Sequence, residues 1–117
     1  MDFDYNLPIY LQVARSIKVQ VVSGRIRPGE KLPSNLELAM EYKINPNTVQ
    51  RVYRELEAQG VTFTRRGIGT FVTEDGAIVD RLKKEMSSEL IGAFLREMKA
   101  LGFSTKEVMD ALNTAQT

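Results

Sequence analysis

A mostly helical α+β fold is predicted by three observations. Three amphipathic helical patterns fill the first half of the chain, and the last two are separated by only Lys43 and Ile44. Two short alternating segments around a glycine-rich turn follow at once, at 61–65 and 70–73. A long helical pattern and a short capped one close the 117 residues, a length that suits one ordinary domain or a small domain with an appendage.

Each element has its own signal. After an extended start, Pro8 sits where a first helical turn would begin. Tyr10, Val13, Ala14, Ile17 and Val21 then follow the i, i+3, i+4, i+7, i+11 spacing of one helix face. Ser23-Gly24 ends this helix, and Pro28-Gly29 makes a turn. S-N-L-E at 34–37 is a capping box: the Ser34 hydroxyl can accept from the Glu37 backbone N–H while the Glu37 carboxylate reaches back. A short second helix is predicted over 35–42, with Leu38, Ala39 and Tyr42 on one side and Ile44 following. Asn45-Pro46 opens the third, because Asn is a strong N-cap and Pro suits the first helical position. Its buried stripe is Val49, Val52, Tyr53 and Leu56, and Gly60 suits the position just past its end. V-T-F-T-R (61–65), R-G-I-G (66–69) and T-F-V-T (70–73) read as a hairpin. Glu74-Asp75-Gly76 breaks the pattern before a long helix over about 77–101, with Val79, Leu82, Met86, Leu90, Ala93, Phe94, Met98 and Leu101 near one face. Gly102 ends it, and a second capping box, S-T-K-E at 104–107, opens a last helix carrying Val108, Met109 and Leu112.

Composition narrows the function. The chain is 43% hydrophobic and 26% charged, an ordinary globular balance. It has no cysteine and no histidine. Disulfides, zinc thiolates and thiol nucleophiles are excluded, and so are the commonest general base and transition-metal ligand. An enzyme would need paired carboxylates or a Ser–Lys pair, yet the carboxylates sit at capping and surface positions. No catalytic residue, metal or cofactor is expected. No apolar run approaches the roughly 18 residues of a membrane span and no signal peptide opens the chain, so a cytoplasmic protein without membrane contact is expected. The formal net charge of +1 hides a division: residues 1–73 hold ten bases and seven acids, and residues 74–117 hold six bases and eight acids.

The stretch from Ile44 to Gly60, I-N-P-N-T-V-Q-R-V-Y-R-E-L-E-A-Q-G, carries the functional signal. Acids are favoured in a helix's first turn, where the partial charge is positive. Here the first half carries none, and Asn47, Arg51 and Arg54 project nearly opposite the buried stripe with Gln50 at its border. Three helices, a tight turn between the last two, and a hairpin form the order of a winged helix-turn-helix. A recognition helix sets its N-terminal residues against base edges in the major groove, where carboxylates would be repelled by phosphates. Asn and Gln can pair with adenine, and Arg with guanine or a phosphate. The hairpin tip, Arg65-Arg66-Gly67, places two guanidiniums beside a residue with no side chain, suited to a phosphate backbone or the minor groove. Each feature alone fits plain capping, a solvated face or a common turn; their order is what points to DNA.

G-R-I-R-P-G-E-K-L-P-S-N-L-E-L-A (24–39), the 44–60 stretch and R-R-G-I-G-T-F-V (65–72) resemble the N-terminal domain of GntR-family bacterial transcription regulators over about residues 7–73. The N-P-N-T start of the third helix and the short helical tail resemble that family's YtrA-type branch. The resemblance implies homodimers that bind inverted-repeat operators, mostly as repressors, with genes for an ABC transporter or an envelope-stress response as targets. It also implies a DNA-contacting set of Ser34, Asn47, Thr48, Gln50, Arg51, Arg65, Arg66, Gly67 and Gly69, to which the capping Asn45 and the exposed Arg54 are added from the residue reading. One position departs: the family places an Arg two residues after L-P-S, and this chain has Leu36. Either that contact is lost, or Leu36 packs against another element or a thymine methyl.

Residues 1–75 are thus expected to be the DNA-binding domain and 76–117 a helical dimerisation element. Two helices of about 40 residues together are too few to enclose a small-molecule pocket. The stripe of Val79, Leu82, Met86, Leu90, Phe94 and Met98 exceeds what the short last helix can cover, so a second protomer is the expected cover. No residue declares an effector site. The competing expectation is a winged helix kept as a protein-interaction module, its arginines meeting an acidic partner, with no preference for any duplex.

Overall fold

The computed structural model describes residues 6–115, so most of the expected extended start lies outside the described residues. The elements run α1 (Ile9–Val22), α2 (Asn35–Tyr42), α3 (Pro46–Ala58), β1 (Thr62–Arg65), β2 (Gly69–Val72), α4 (Gly76–Ala100) and α5 (Thr105–Thr114). The described residues up to Leu82 form one compact unit and those from Lys83 onward a second.

In the first unit α3 is the central element, touching α1, α2 and β1. Its stripe of Val49, Val52, Tyr53 and Leu56 is buried together with Val13, Ala14, Ile17 and Val21 of α1, Leu38 and Ala39 of α2, and Leu32, Val61 and Val72. Each fully buried Val or Leu contributes roughly 1.5–3 kcal/mol, so this cluster is the main stabilising term. Polar bonds tie α1 to its neighbours: Ser16 Oγ and Tyr42 Oη lie 2.9 Å apart, and Lys18 Nζ donates to Gln59 Oε1 at 3.2 Å.

The helix ends follow the sequence signals closely. Ser34 Oγ accepts from the Glu37 N–H at 3.1 Å and Glu37 Oε1 accepts from the Ser34 N–H at 2.9 Å, completing the first capping box. Asn45 caps α3 by accepting the Asn47 N–H at 2.8 Å, with Pro46 in the first turn. At the other end Gly60 adopts φ 77°, its N–H reaching Glu57 O at 2.9 Å while Val61 N–H reaches Leu56 O at 3.0 Å. This is the Schellman stop, with Leu56 and Val61 both buried beneath it. One start differs: Pro8 is the N-cap of α1 rather than its first helical residue, because its ψ of 140° is extended while its carbonyl already accepts from Leu11 and Gln12.

The hairpin pairs Thr62 with Val72, Phe63 with Phe71, Thr64 with Thr70 and Arg65 with Gly69. Relative to the expected 61–65 and 70–73, β1 begins one residue later and β2 begins and ends one residue earlier, because Val61 belongs to the helix stop and Gly69 can pair in a conformation (φ 148°) closed to most residues. The Pro28-Gly29 turn leads into a feature the sequence pattern does not reveal. Lys31 bridges Phe71, with Leu32 N–H on Thr70 O at 2.8 Å and Val72 N–H on Glu30 O at 2.9 Å. The segment before α2 therefore lies along the hairpin like a third strand.

α4 runs 25 residues. Phe103 N–H on Met98 O at 3.1 Å and Gly102 N–H on Lys99 O at 2.9 Å form a second Schellman stop. Ser104 and Glu107 then cap α5 reciprocally. Of the expected stripe, Leu82 and Met86 are buried, Val79 and Met98 half-buried, and Leu90 and Phe94 exposed. Val108 of α5 is buried, whereas Met109 and Leu112 are exposed.

Candidate nucleic-acid interface

The exposed face of α3 is built by what the helix buries. With Val49, Val52, Tyr53 and Leu56 turned inward, Asn47, Gln50, Arg51 and Arg54 are left exposed, and Thr48 is half-buried. The first turn of α3 holds no acid. Asn45 spends its amide oxygen on the cap, which leaves its NH₂ group as a donor at the helix start. Ser34, also exposed, has its hydroxyl oxygen engaged by the Glu37 N–H. The helix-turn-helix corner is closed by Lys43 in the left-handed region, φ 57°, with Ile44 N–H on Ala39 O at 3.0 Å. Tyr53, buried in α3, donates its hydroxyl to Pro33 O and so ties this helix to the segment that precedes α2. Burial raises the Tyr53 phenol above its ordinary value of 10.0.

Two of the expected arginines are held by aromatic rings. The Arg51 guanidinium lies over the Tyr10 ring of α1, 4.1 Å from its centroid. Stacking uses the face of the guanidinium and leaves its in-plane N–H groups for a phosphate or a base. Arg54 lines the same surface depression, with Tyr10, Arg51, Glu55 and Ala58. On the wing, Phe63 and Phe71 stack with centroids 5.7 Å apart, and Arg65 lies 5.7 and 5.8 Å from their centres. Arg66 is exposed at the tip, where Gly67 takes φ 77° with open space around it.

Four participants escape the sequence reading. Tyr10 falls on the core face of α1 by its spacing, yet the residue is half-buried and its ring supports Arg51. Phe63 and Phe71 become a pair only through the hairpin register, which their alternation could have signalled. Lys31 enters because the segment before α2 joins the wing, and no local pattern marks it. Leu36 is 63% exposed on α2.

Comparison with known proteins identifies a family and several relatives. A family model described as "Bacterial regulatory proteins, gntR family" matches residues 9–72. The chain is 44% identical to the HTH-type transcriptional regulator YhcF of Bacillus subtilis over 96% of its own length and 93% of that relative. It is 46% identical over 70 residues to the HTH-type transcriptional repressor YtrA of the same organism, spanning 60% of this chain and 54% of YtrA. A GntR family transcriptional regulator from Listeria monocytogenes matches with a TM-score of 0.90 at 34% identity, over 97% of this chain and 100% of that one. AraR(DBD), solved in complex with operator ORX1, matches with a TM-score of 0.56 at 33% identity, over 57% of this chain and 81% of that one.

Proposed function

Since the chain belongs to the gntR family of bacterial regulatory proteins, whose members are DNA-binding transcription regulators and not enzymes, we propose that it is a repressor that binds an inverted-repeat operator as a homodimer. The observation that carries this reading is the acid-free first half of α3, where the exposed Asn47, Gln50 and Arg51, followed by Arg54, present only amide and guanidinium groups before the acids Glu55 and Glu57. In the proposed complex the N-terminal half of α3 enters the major groove, with Asn47 and Gln50 at base edges. Ser34, Asn45, Thr48, Arg51 and Arg54 hold the flanking backbone. The wing, Arg65, Arg66, Gly67 and Gly69, follows the backbone or enters the minor groove. The similar AraR(DBD) is solved in complex with an operator, which supports operator binding.

Residues 1–75 then serve as the DNA-binding domain and 76–117 as the dimerisation element. Support for dimerisation comes from the apolar side chains exposed along α4 and α5: Leu90, Ile91, Phe94, Met109 and Leu112. Apolar side chains exposed at helical spacing suit a protein interface, and two-fold pairing would present two recognition helices to a palindrome. The YtrA-type branch fits the relatives, and it extends the proposal to ABC-transporter or envelope-stress genes as targets. Among the described residues no helix is long and apolar enough to cross a membrane, and action in the cytoplasm is part of the proposal.

The test is selection of binding sites from a random duplex library at near-physiological salt. Enrichment of an inverted repeat is the expected result. Binding without enrichment would reduce the protein to a non-specific DNA binder. Absence of binding to any duplex would favour the interaction-module reading.

A further inference from the structure

The wing carries a second cation on the same face as Arg65. Directly paired residues share a face of a sheet, and faces alternate along a strand. Lys31 pairs with Phe71, and Phe71 with Phe63; Gly69 and Arg65 pair with each other two residues further along. All five therefore lie on one face. Two independent distances agree. The Arg65 guanidinium sits 5.7 and 5.8 Å from the Phe63 and Phe71 ring centres. A Cβ built on Gly69 would fall 2.7 Å from Lys31 Cε and 3.6 Å from its Nζ. The Lys31 stem thus crosses the bare backbone of Gly69, directly opposite which Arg65 stands in register.

We propose, resting on the DNA-binding reading above, that Lys31 is a further DNA-backbone contact, which together with Arg65 grips one phosphate over Gly69. The geometry gives each residue a part. Gly69 leaves the floor between the two cations free of side chain. Lys31, an exposed residue, keeps its stem against Gly69 of the wing, so less side-chain freedom is lost when a phosphate binds. Arg65 is supported from below by the stacked rings and keeps its in-plane donors available. The acid that faces Lys31 is Glu37, whose carboxylate is occupied by the Ser34 N–H and whose negative charge Lys31 offsets. The contact reads no base; it positions the protein on the duplex.

The test measures affinity of the full chain for its selected duplex, and for a random-sequence duplex, across a series of salt concentrations. Lys31→Gln keeps the stem and removes the charge. The expected result is about tenfold weaker binding to both duplexes, with the slope of log K against log salt shallower by about 0.9. Lys31→Arg should restore both. Lys106→Gln, which removes the same charge from the C-terminal unit, should leave the slope unchanged. Gly69→Ala should weaken binding in the wild type and much less in the Lys31→Gln background, because the new Cβ acts by displacing Lys31; circular dichroism reads whether it folds. An unchanged slope and affinity for Lys31→Gln would overturn the inference while leaving the DNA-binding reading intact. A wild-type chain that binds neither duplex would overturn both.

Discussion

At the scale of single residues, Lys43 and the pair Gln50 and Arg66 make the clearest demands. Lys43 is the sole non-glycine among the described residues with positive φ, 57°, and it sits at the corner between α2 and α3. An L side chain in this region costs roughly 1–2 kcal/mol, part of which glycine returns through the entropy of the unfolded chain. Lys43→Gly should therefore raise the urea midpoint by the equivalent of about 1 kcal/mol without changing the slope of the transition. Gln50 and Arg66 separate base reading from backbone holding. Gln50→Ala should relax preference at one base pair by about 1–3 kcal/mol in a competition of variant operators. Arg66→Ala should weaken all duplexes alike and flatten the salt dependence. Equal behaviour of the two variants would remove the division of roles between α3 and the wing.

At the scale of elements, α2 and α5 depend on their capping boxes, and these respond to acid. Glu37 and Glu107 are each held below their ordinary value of 4.5, first by the backbone N–H of Ser34 or Ser104 and then by the same serine's hydroxyl. A carboxylate lowered in the folded state stabilises the fold above its unfolded pKa, and this contribution is lost as pH falls through the lower folded value. Stability should accordingly decline as pH drops below about 4.5. Glu37→Gln should lessen that decline, because the amide still accepts the Ser34 N–H and does not titrate there. Thermal unfolding followed between pH 6 and pH 3 for wild type and variant checks the sign; a variant as acid-sensitive as the wild type would refute it. The same box matters to function, since it fixes where Ser34 lies at the start of α2.

At the scale of the whole molecule, the proposed dimer rests on apolar side chains that the chain itself leaves uncovered. Leu90 is 59% exposed and Phe94 39%, both on α4. Phe94→Glu should leave the helix content unchanged and shift the protein from dimer to monomer in sedimentation experiments. It should also weaken operator binding far more than binding to a single half-site, since two half-sites joined through a dimer profit from high effective concentration. A Phe94→Glu chain that sediments as the wild type does would place the dimer contact elsewhere or remove it.

What was legible in the sequence is what local chemistry decides. The order of five helices and a hairpin, the Ser34 and Ser104 boxes, the Asn45-Pro46 start and the Gly60 stop all follow from hydrogen-bond and backbone requirements that span a few residues. The acid-free first half of α3 was equally readable, because a 3.6-residue period alone separates its exposed side chains from the buried stripe. Only the tertiary structure decided which side chains from distant segments meet there. Tyr10 supports Arg51 across 41 positions of sequence because α1 and α3 pack together. Lys31 reaches Gly69 across 38 because the segment before α2 pairs with the wing. Such contacts carry no local signature: each arises from how two elements settle against each other once their apolar faces are buried, and a lysine beside a turn reads the same in sequence whether or not a glycine waits beneath it.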